Sequence, residues 1–411
     1  MKRIILYAAG IAGMVITVVP AWAIGGNETR IPLDKNPIIR AANDFLHQPP
    51  RTITSFPSAQ NPGGIHEYYS EGTYWWPNPK NAKGPYIRRD GYTNPHNFRG
   101  HKMALGIFSN HVAALTAAWM LTHQHRYATA AIANLRAWFI APATMMAPNL
   151  NYAQAIPGIC TGRGIGIIDT VRLVPVARSA EMLERGGVLT GGTRAGINAW
   201  FARYLHWMTT SPHGLAEMRA KNNHGTFWTL QAGAFAALIG DQRELRFCRR
   251  RFKQVLLPHQ MAANGSFPRE LARTKPFGYS VFNLNAMCCV CQVLSTSGDS
   301  LWKYSTPDGR NMDKGLAFLY PYILHKSTWP YRHDVQHWNS KPQRPPAYLF
   351  GGLAYQSARY IDLWKSLRGR SDRSEDWFNS FMGPTILWIN PSQLDPRHGA
   401  TSRPGFIFQH R

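Results

Sequence analysis

The stretch LGIFSNHVAALTAAWML, residues 105–121, decides the fold. Leu105, Phe108, Val112, Leu115 and Trp119 recur at alternating steps of three and four, the spacing that lays one apolar stripe along an α-helix. Stretches of the same kind follow at 127–139, 170–183, 194–208, 226–239, 243–256, 281–294, 313–324 and 351–367, divided by Gly, Pro or polar breaks. Scarcely a strand-like run lies between them, so the expectation is an all-α body. A bundle and a toroid of helical hairpins both suit this length, and the long, motif-rich connections favour an incomplete (α/α) toroid. Loops at one end of such a ring line a cleft that suits a chain-like ligand.

On the N-terminal side of the helices, residues 32–101 are rich in Pro, Gly, Asn and aromatics, with Tyr74-Trp75-Trp76-Pro77-Asn78-Pro79 at the centre. This segment is expected to be an irregular arm packed on the body. Further out, Lys2 and Arg3 precede an apolar run over 4–19 and then Ala21-Trp22-Ala23, a small-x-small cleavage pattern. Residues 1–23 are expected to be a signal peptide, which implies a periplasmic or secreted protein. No later segment reads as apolar for long enough to span a bilayer, so no stable membrane insertion is expected after cleavage. Residues 24–411 show no fixed-period repeat and no low-complexity linker, and one toroid domain, as a monomer, is the simplest expectation.

The 46 Lys and Arg against 22 Asp and Glu give a net charge of +24, a field that attracts polyanions. Helix-turn-helix, finger and RNA-motif patterns are missing, and an exported chain rarely meets nucleic acid, so an anionic polysaccharide is the better-fitting partner. The five cysteines, Cys160, Cys248, Cys288, Cys289 and Cys291, are an odd number, and at least one thiol is expected to be unpaired. They form no zinc framework, and Cys288, Cys289 and Cys291 sit in an apolar run where buried thiols act as small hydrophobes.

Two blocks carry the residue types of one kind of chemistry. β-Elimination of a uronate needs its carboxylate neutralised, a base for the α-proton and an acid for the departing oxygen. Lys221-Asn222-Asn223-His224-Gly225-Thr226-Phe227-Trp228 gathers two amides and a histidine at a predicted helix start, where backbone N–H groups also favour an anion. This is a carboxylate clamp, or else Asn capping beside a core histidine. The run from Phe267 to Ser280 sets Arg269, Arg273 and Lys275 beside Tyr279. Surrounding cations lower a phenol's pKa and suit it to act as base and then acid; the alternative is a solvated basic loop.

These blocks resemble the active-site segments of the alginate lyase superfamily, as in polysaccharide lyase families 5 and 38. Further blocks are similar to that group and come in the same order: Tyr74 to Pro79, Pro85-Tyr86-Ile87-Arg88-Arg89-Asp90-Gly91, Asn151-Tyr152-Ala153-Gln154-Ala155-Ile156-Pro157-Gly158, and Gly162-Arg163-Gly164 through Asp169. The resemblance implies a helical toroid that cleaves uronate polymers with no metal or organic cofactor and leaves unsaturated uronate ends. It places Asn223 and His224 at the carboxylate, with His224 also a possible base for one sugar epimer. Arg273 assists, with Arg269 as the alternative left open by the spacing to Tyr279, and Tyr279 is base and acid. Asn222, Tyr152, Gln154 and Lys275 join the substrate-binding set. Trp75 and Trp76, with Tyr74, form a sugar-stacking platform or pack on the toroid. Arg88, Arg89 and Arg163 bind substrate carboxylates in forked geometry or make structural pairs.

Rival signals are weaker. His333-Asp334-Val335-Gln336-His337 spaces two histidines like a zinc-protease helix, but Asp stands where that motif needs Glu, and Pro330 is near. The glycines of 162–166 follow no strand, which argues against a dinucleotide site. A toroidal glycoside hydrolase needs two carboxyl groups, yet Asp169 and Glu270 have no evident partners in the sequence. A non-catalytic protein that only binds acidic glycans is the remaining alternative.

Overall fold

The structure, a computed structural model, describes residues Ile31, 35–340, 344–367 and 382–389; the expected signal peptide lies outside them. The helices are α1 (Lys35–Leu46), α2 (Gly100–Thr122), α3 (His125–Phe139), α4 (Leu173–Arg185), α5 (Gly191–Thr210), α6 (Pro212–Met218), α7 (Asn223–Ile239) and α8 (Gln242–Arg251), then α9 (Leu257–Gln260), α10 (Pro268–Leu271), α11 (Pro276–Leu294), α12 (Met312–Leu324), α13 (Pro346–Ala354) and α14 (Ala358–Ser366). Helices α2, α4, α7, α11 and α13 pack each on the next, while α3, α5, α8 and α14 return along the outside. This is the all-α body that the apolar stripes predict, arranged as the incomplete toroid of hairpins that the long connections favour.

The inner helices are apolar nearly all round because they have neighbours on every side. In α7 the residues from Gly225 to Ala236 are all buried, and α11 is buried from Tyr279 to Cys291. By length and composition α2 and α11 do reach the requirement for a membrane span, contrary to the sequence reading, but 78% and 83% of their apolar windows lie inside the protein. All five cysteines are unpaired, and Cys248, Cys288, Cys289 and Cys291 are buried among apolar side chains. Helix ends follow local chemistry. Asp241 caps α8 through the Glu244 amide, and Gly240 ends α7 in the left-handed conformation, φ 75°.

Three expectations need correction. The stretch 351–367 is two helices, broken where Gln356 takes φ 51°. The stretch 243–256 does not stay α-helical. It opens into a π-turn at Phe252–Leu256, just before Pro258, which has no N–H to give the preceding turn. The arm is irregular only between its helices, since it holds α1 and the start of α2. Its remainder forms two small ladders. Strand β1 (Tyr69–Glu71) runs parallel to β4 (Tyr152–Ala155), and β2 (Trp75–Trp76) pairs antiparallel with β3 (Ile87–Arg88), Trp75 opposite Arg88. The first ladder ties the arm to the ring.

Candidate active site

The Asn-Asn-His turn opens α7. Asn222 is the N-cap residue but makes no side-chain cap, and its carbonyl accepts Gln260 Nε2 at 3.0 Å. Gln260 Oε1 in turn accepts Thr226 and Asn283 Nδ2, which fixes the turn against α11. Gly225 lies so close to the preceding turn that a Cβ there would stand 2.2 Å from the Ala220 carbonyl oxygen. Asn223 is 1% exposed, and its backbone N and Nδ2 reach the two oxygens of Glu270 at 2.6 and 2.8 Å. Burial raises the Glu270 carboxyl, against the opposing pull of the Asn223 bonds and of the charges on Arg273 and His224. His224 remains partly exposed, with Nδ1 2.6 Å from Oε1 of the buried Glu217, near the end of α6. A carboxylate only accepts, so in the neutral ring Nδ1 carries the proton and Nε2 holds the lone pair.

Tyr279 sits one turn into α11. Its hydroxyl lies 2.7 Å from the Tyr74 hydroxyl and accepts Arg273 at 3.0 Å, and the Arg273 guanidinium stacks 4.1 Å from its ring centre. Arg273 also forks onto Asp90 at 3.2 and 2.9 Å, where Thr274 and Arg88 donate as well. Burial would raise the Asp90 carboxyl, but the Arg273 bonds outweigh it and hold it well below the usual carboxylate range. The phenol itself departs from the sequence expectation. Burial, then the Tyr74 phenol, push Tyr279 well above its ordinary value, and the nearby Arg273 does not reverse this. Charge near a group in sequence says nothing of its desolvation, and here desolvation wins.

The arm and β4 supply the rest. Gln154, strained at φ 50°, presents its carbonyl and Oε1 to Arg163 at 2.9 and 3.1 Å and donates Nε2 to Asp169. Arg163 stacks on Trp75 at 5.7 Å and Arg89 on Trp76 at 5.2 Å; both indoles are partly exposed. Lys275 reaches Gln336 at 3.3 Å and lies 5.7 Å from the centre of the Tyr74 ring. Tyr152, in β4, stands beside Gly63, where a Cβ would meet its ring. Arg269 is exposed on α10, and Arg273 is the arginine at Tyr279. The structure thus pairs Asn223 with Glu270, His224 with Glu217 and Arg273 with Tyr279, and the charges of both Arg273 and His224 act on Glu270; Trp75, Arg163 and Gln154 stand on the arm side.

The rival motifs resolve into structure. His333 stacks on Trp338 with ring centres 4.0 Å apart, and Asp334 accepts two backbone amides. Asp169 accepts Ser70, Gln154 and Tyr68 and pairs with Lys102, and Glu270 is held by Asn223, so each carboxylate is tied inside the protein.

A family model described as alginate lyase matches residues 52–329, a span that holds every residue of this cluster but the 333–337 loop. The chain belongs to the alginate lyase family. It is similar to the crystal structure of an alginate lyase from Bacteroides ovatus, at 30% identity over 87% of this chain and 92% of that one, with a TM-score of 0.76. Alginate lyase A1-III from Sphingomonas species A1 shares the fold at 14% identity, over 86% of this chain and 95% of that one, with a TM-score of 0.54. No curated protein matches the chain significantly. As an alginate lyase family member it is a polysaccharide lyase. Sequence reasoning missed Glu217, Glu270 as a partner of Asn223, Asp90 and Gln260. Glu217 precedes His224 by seven residues on another helix, and Asp90 precedes Arg273 by 183, so no local pattern links them.

Proposed function

We propose that this lyase is exported after loss of residues 1–23 and cuts alginate or a related uronate polymer by β-elimination, residues 24–411 acting as one monomeric catalytic unit. The observation that carries the reading is the Tyr279 hydroxyl held by both Arg273 and Tyr74, at 3.0 and 2.7 Å. The alginate lyases it resembles, one of them with a tetrasaccharide complex of a variant form, support a polysaccharide chain as ligand.

In the proposed reaction, Asn222 and the second Nδ2 proton of Asn223 meet the uronate carboxylate, joined by His224 when its Nε2 is protonated, and stabilise the charge that grows on it as the C5 proton leaves. For the epimer whose C5 proton faces His224, the Nε2 lone pair takes that proton. For the other epimer the Tyr279 oxygen takes it, which requires the phenolate, a form that burial disfavours and the Arg273 charge favours. The freed electron pair forms the C4–C5 double bond, the C4–O4 bond breaks, and O4 leaves with a proton from Tyr279. A phenol kept protonated by burial is well prepared for that last step. Trp75 and Trp76 offer flat faces to sugar rings, and Arg163 offers a guanidinium to a neighbouring carboxylate.

The test incubates purified protein and EDTA with polymannuronate, polyguluronate, glucuronan and hyaluronan and follows ultraviolet absorbance of the conjugated double bond. A rise on one polymer, lost in folded Tyr279→Phe and His224→Ala, is expected. Reducing ends without that absorbance would replace the lyase reading with hydrolysis, and binding without either product would leave a glycan-binding protein.

A further inference from the structure

Helix α11, which carries Tyr279, begins without a local cap. Its N-cap position is Lys275, which makes no side-chain bond to the helix start, and Pro276 has no N–H. The Tyr279 amide bonds the Lys275 carbonyl at 2.9 Å, which leaves the Phe277 and Gly278 amides to be satisfied. Both are taken by one side chain far along the chain. Asp334 Oδ1 accepts Phe277 N and Oδ2 accepts Gly278 N, each at 2.9 Å. A Cβ at Gly278 would stand 2.8 Å from Oδ2, so the residue before Tyr279 must be small for the carboxylate to dock.

The loop bearing Asp334 is tied to the same segment along its length. The Arg332 guanidinium donates to the Ala272 and Arg273 carbonyls, Val335 N donates to Thr274 O at 3.1 Å, and Gln336 Oε1 accepts both Lys275 Nζ and the Thr93 amide of the arm. The ordinary capping position is thus occupied by a lysine engaged with Tyr74 and Gln336, and the cap comes from outside.

We propose that Asp334 is a positioning residue of this lyase, which fixes the first turn of α11 and with it the place of the Tyr279 hydroxyl between Arg273 and Tyr74. The inference rests on the lyase reading above. It assigns a role to the segment whose His-x-x-x-His spacing resembles a metal site.

The test compares wild type, Asp334→Ala and Asp334→Asn by elimination kinetics, thermal melting and amide hydrogen exchange. A displacement of about an ångström at a reacting group costs on the order of 100-fold in rate. In Asp334→Ala, kcat is therefore expected to fall by about that factor, with KM within about twofold. Asp334→Asn keeps one acceptor oxygen and is expected to recover about tenfold of the loss. Exchange at Phe277 and Gly278 is expected to quicken in Asp334→Ala while that of Leu284 and Ala286 in the same helix stays unchanged. The inference is overturned if folded Asp334→Ala keeps kcat within about threefold, or if exchange at 277 and 278 is unaltered. Should Asp334→Ala not fold, Asp334→Asn decides by the same criteria. If wild type cleaves no uronate polymer, the lyase reading fails by itself, and the exchange comparison still decides whether Asp334 holds the turn.

Discussion

Nδ1 of His224 lies 2.6 Å from Oε1 of Glu217, whose side chain is closed to solvent. The pairing selects one tautomer and leaves the other ring nitrogen as an acceptor. A glutamine in place of Glu217 can present either oxygen or nitrogen and no longer enforces that choice. Glu217→Gln is expected to lower kcat by about 100-fold with little change in KM, the scale of a lost general base. Nitrogen NMR of the imidazole is expected to show mixed protonation of Nδ1 and Nε2; unchanged kcat with a single tautomer would refute the role.

The fork from Arg273 to Asp90 makes a pH-dependent prediction. The folded Asp90 carboxyl lies below its unfolded value, so its stabilisation is present above about pH 4 and fades as pH falls further. Asp90→Asn is expected to cost about 2 kcal/mol near neutrality, the scale of hydrogen bonds to a charged group. The difference in melting temperature between wild type and variant is expected to hold steady down to about pH 5 and to shrink only below about pH 4. A difference that narrows already at neutral pH would contradict the assignment.

Two buried histidines set a separate acid limit. His101 accepts the Tyr69 amide through Nδ1 and donates Nε2 to the Phe56 carbonyl, while His111 stacks on Phe45. Burial pushes each down to about 4. The unfolded chain protonates them first, near pH 6.5, so stability is complete above that value and declines as pH falls towards 4. The loss is expected to reach on the order of 3 kcal/mol for each histidine. Urea unfolding between pH 7 and 4.5 checks this, and a flat stability profile would rule it out.

Gly225 faces the Ala220 carbonyl too closely for any side chain. Gly225→Ala is expected to destabilise the protein by about 2 kcal/mol through overpacking and to reduce activity further by shifting the Asn223-His224 turn. Melting and kinetics on one preparation separate the two effects. A variant as stable and active as wild type would show that the turn can open freely.

The ring was legible in the sequence because its helices present apolar stripes at a period that only a helix satisfies, as at Leu105, Phe108, Val112, Leu115 and Trp119. The break between α13 and α14 was not legible: the left-handed residue there is Gln356, with no Gly or Pro to mark it. Helix α1 was hidden for a different reason: Ile38, Ala42, Phe45 and Leu46 do fall at helical spacing, but the stretch is short and lies in a segment otherwise rich in Pro, Gly and Asn. In the site, Asn223, His224, Arg273 and Tyr279 stood in recognisable local blocks. Their partners Glu217, Glu270, Asp90 and Asp334 come from other segments, and the burial that raises Tyr279 exists only once those segments meet.

The contact between the Tyr74 and Tyr279 hydroxyls joins points 205 residues apart. Closing so long a loop is entropically costly and slow compared with forming the hairpins between, which need only near neighbours. During refolding from denaturant, helical signal is therefore expected to return well before enzymatic turnover. Competence is the last thing the chain acquires, so partly assembled molecules are expected to be helical yet inert.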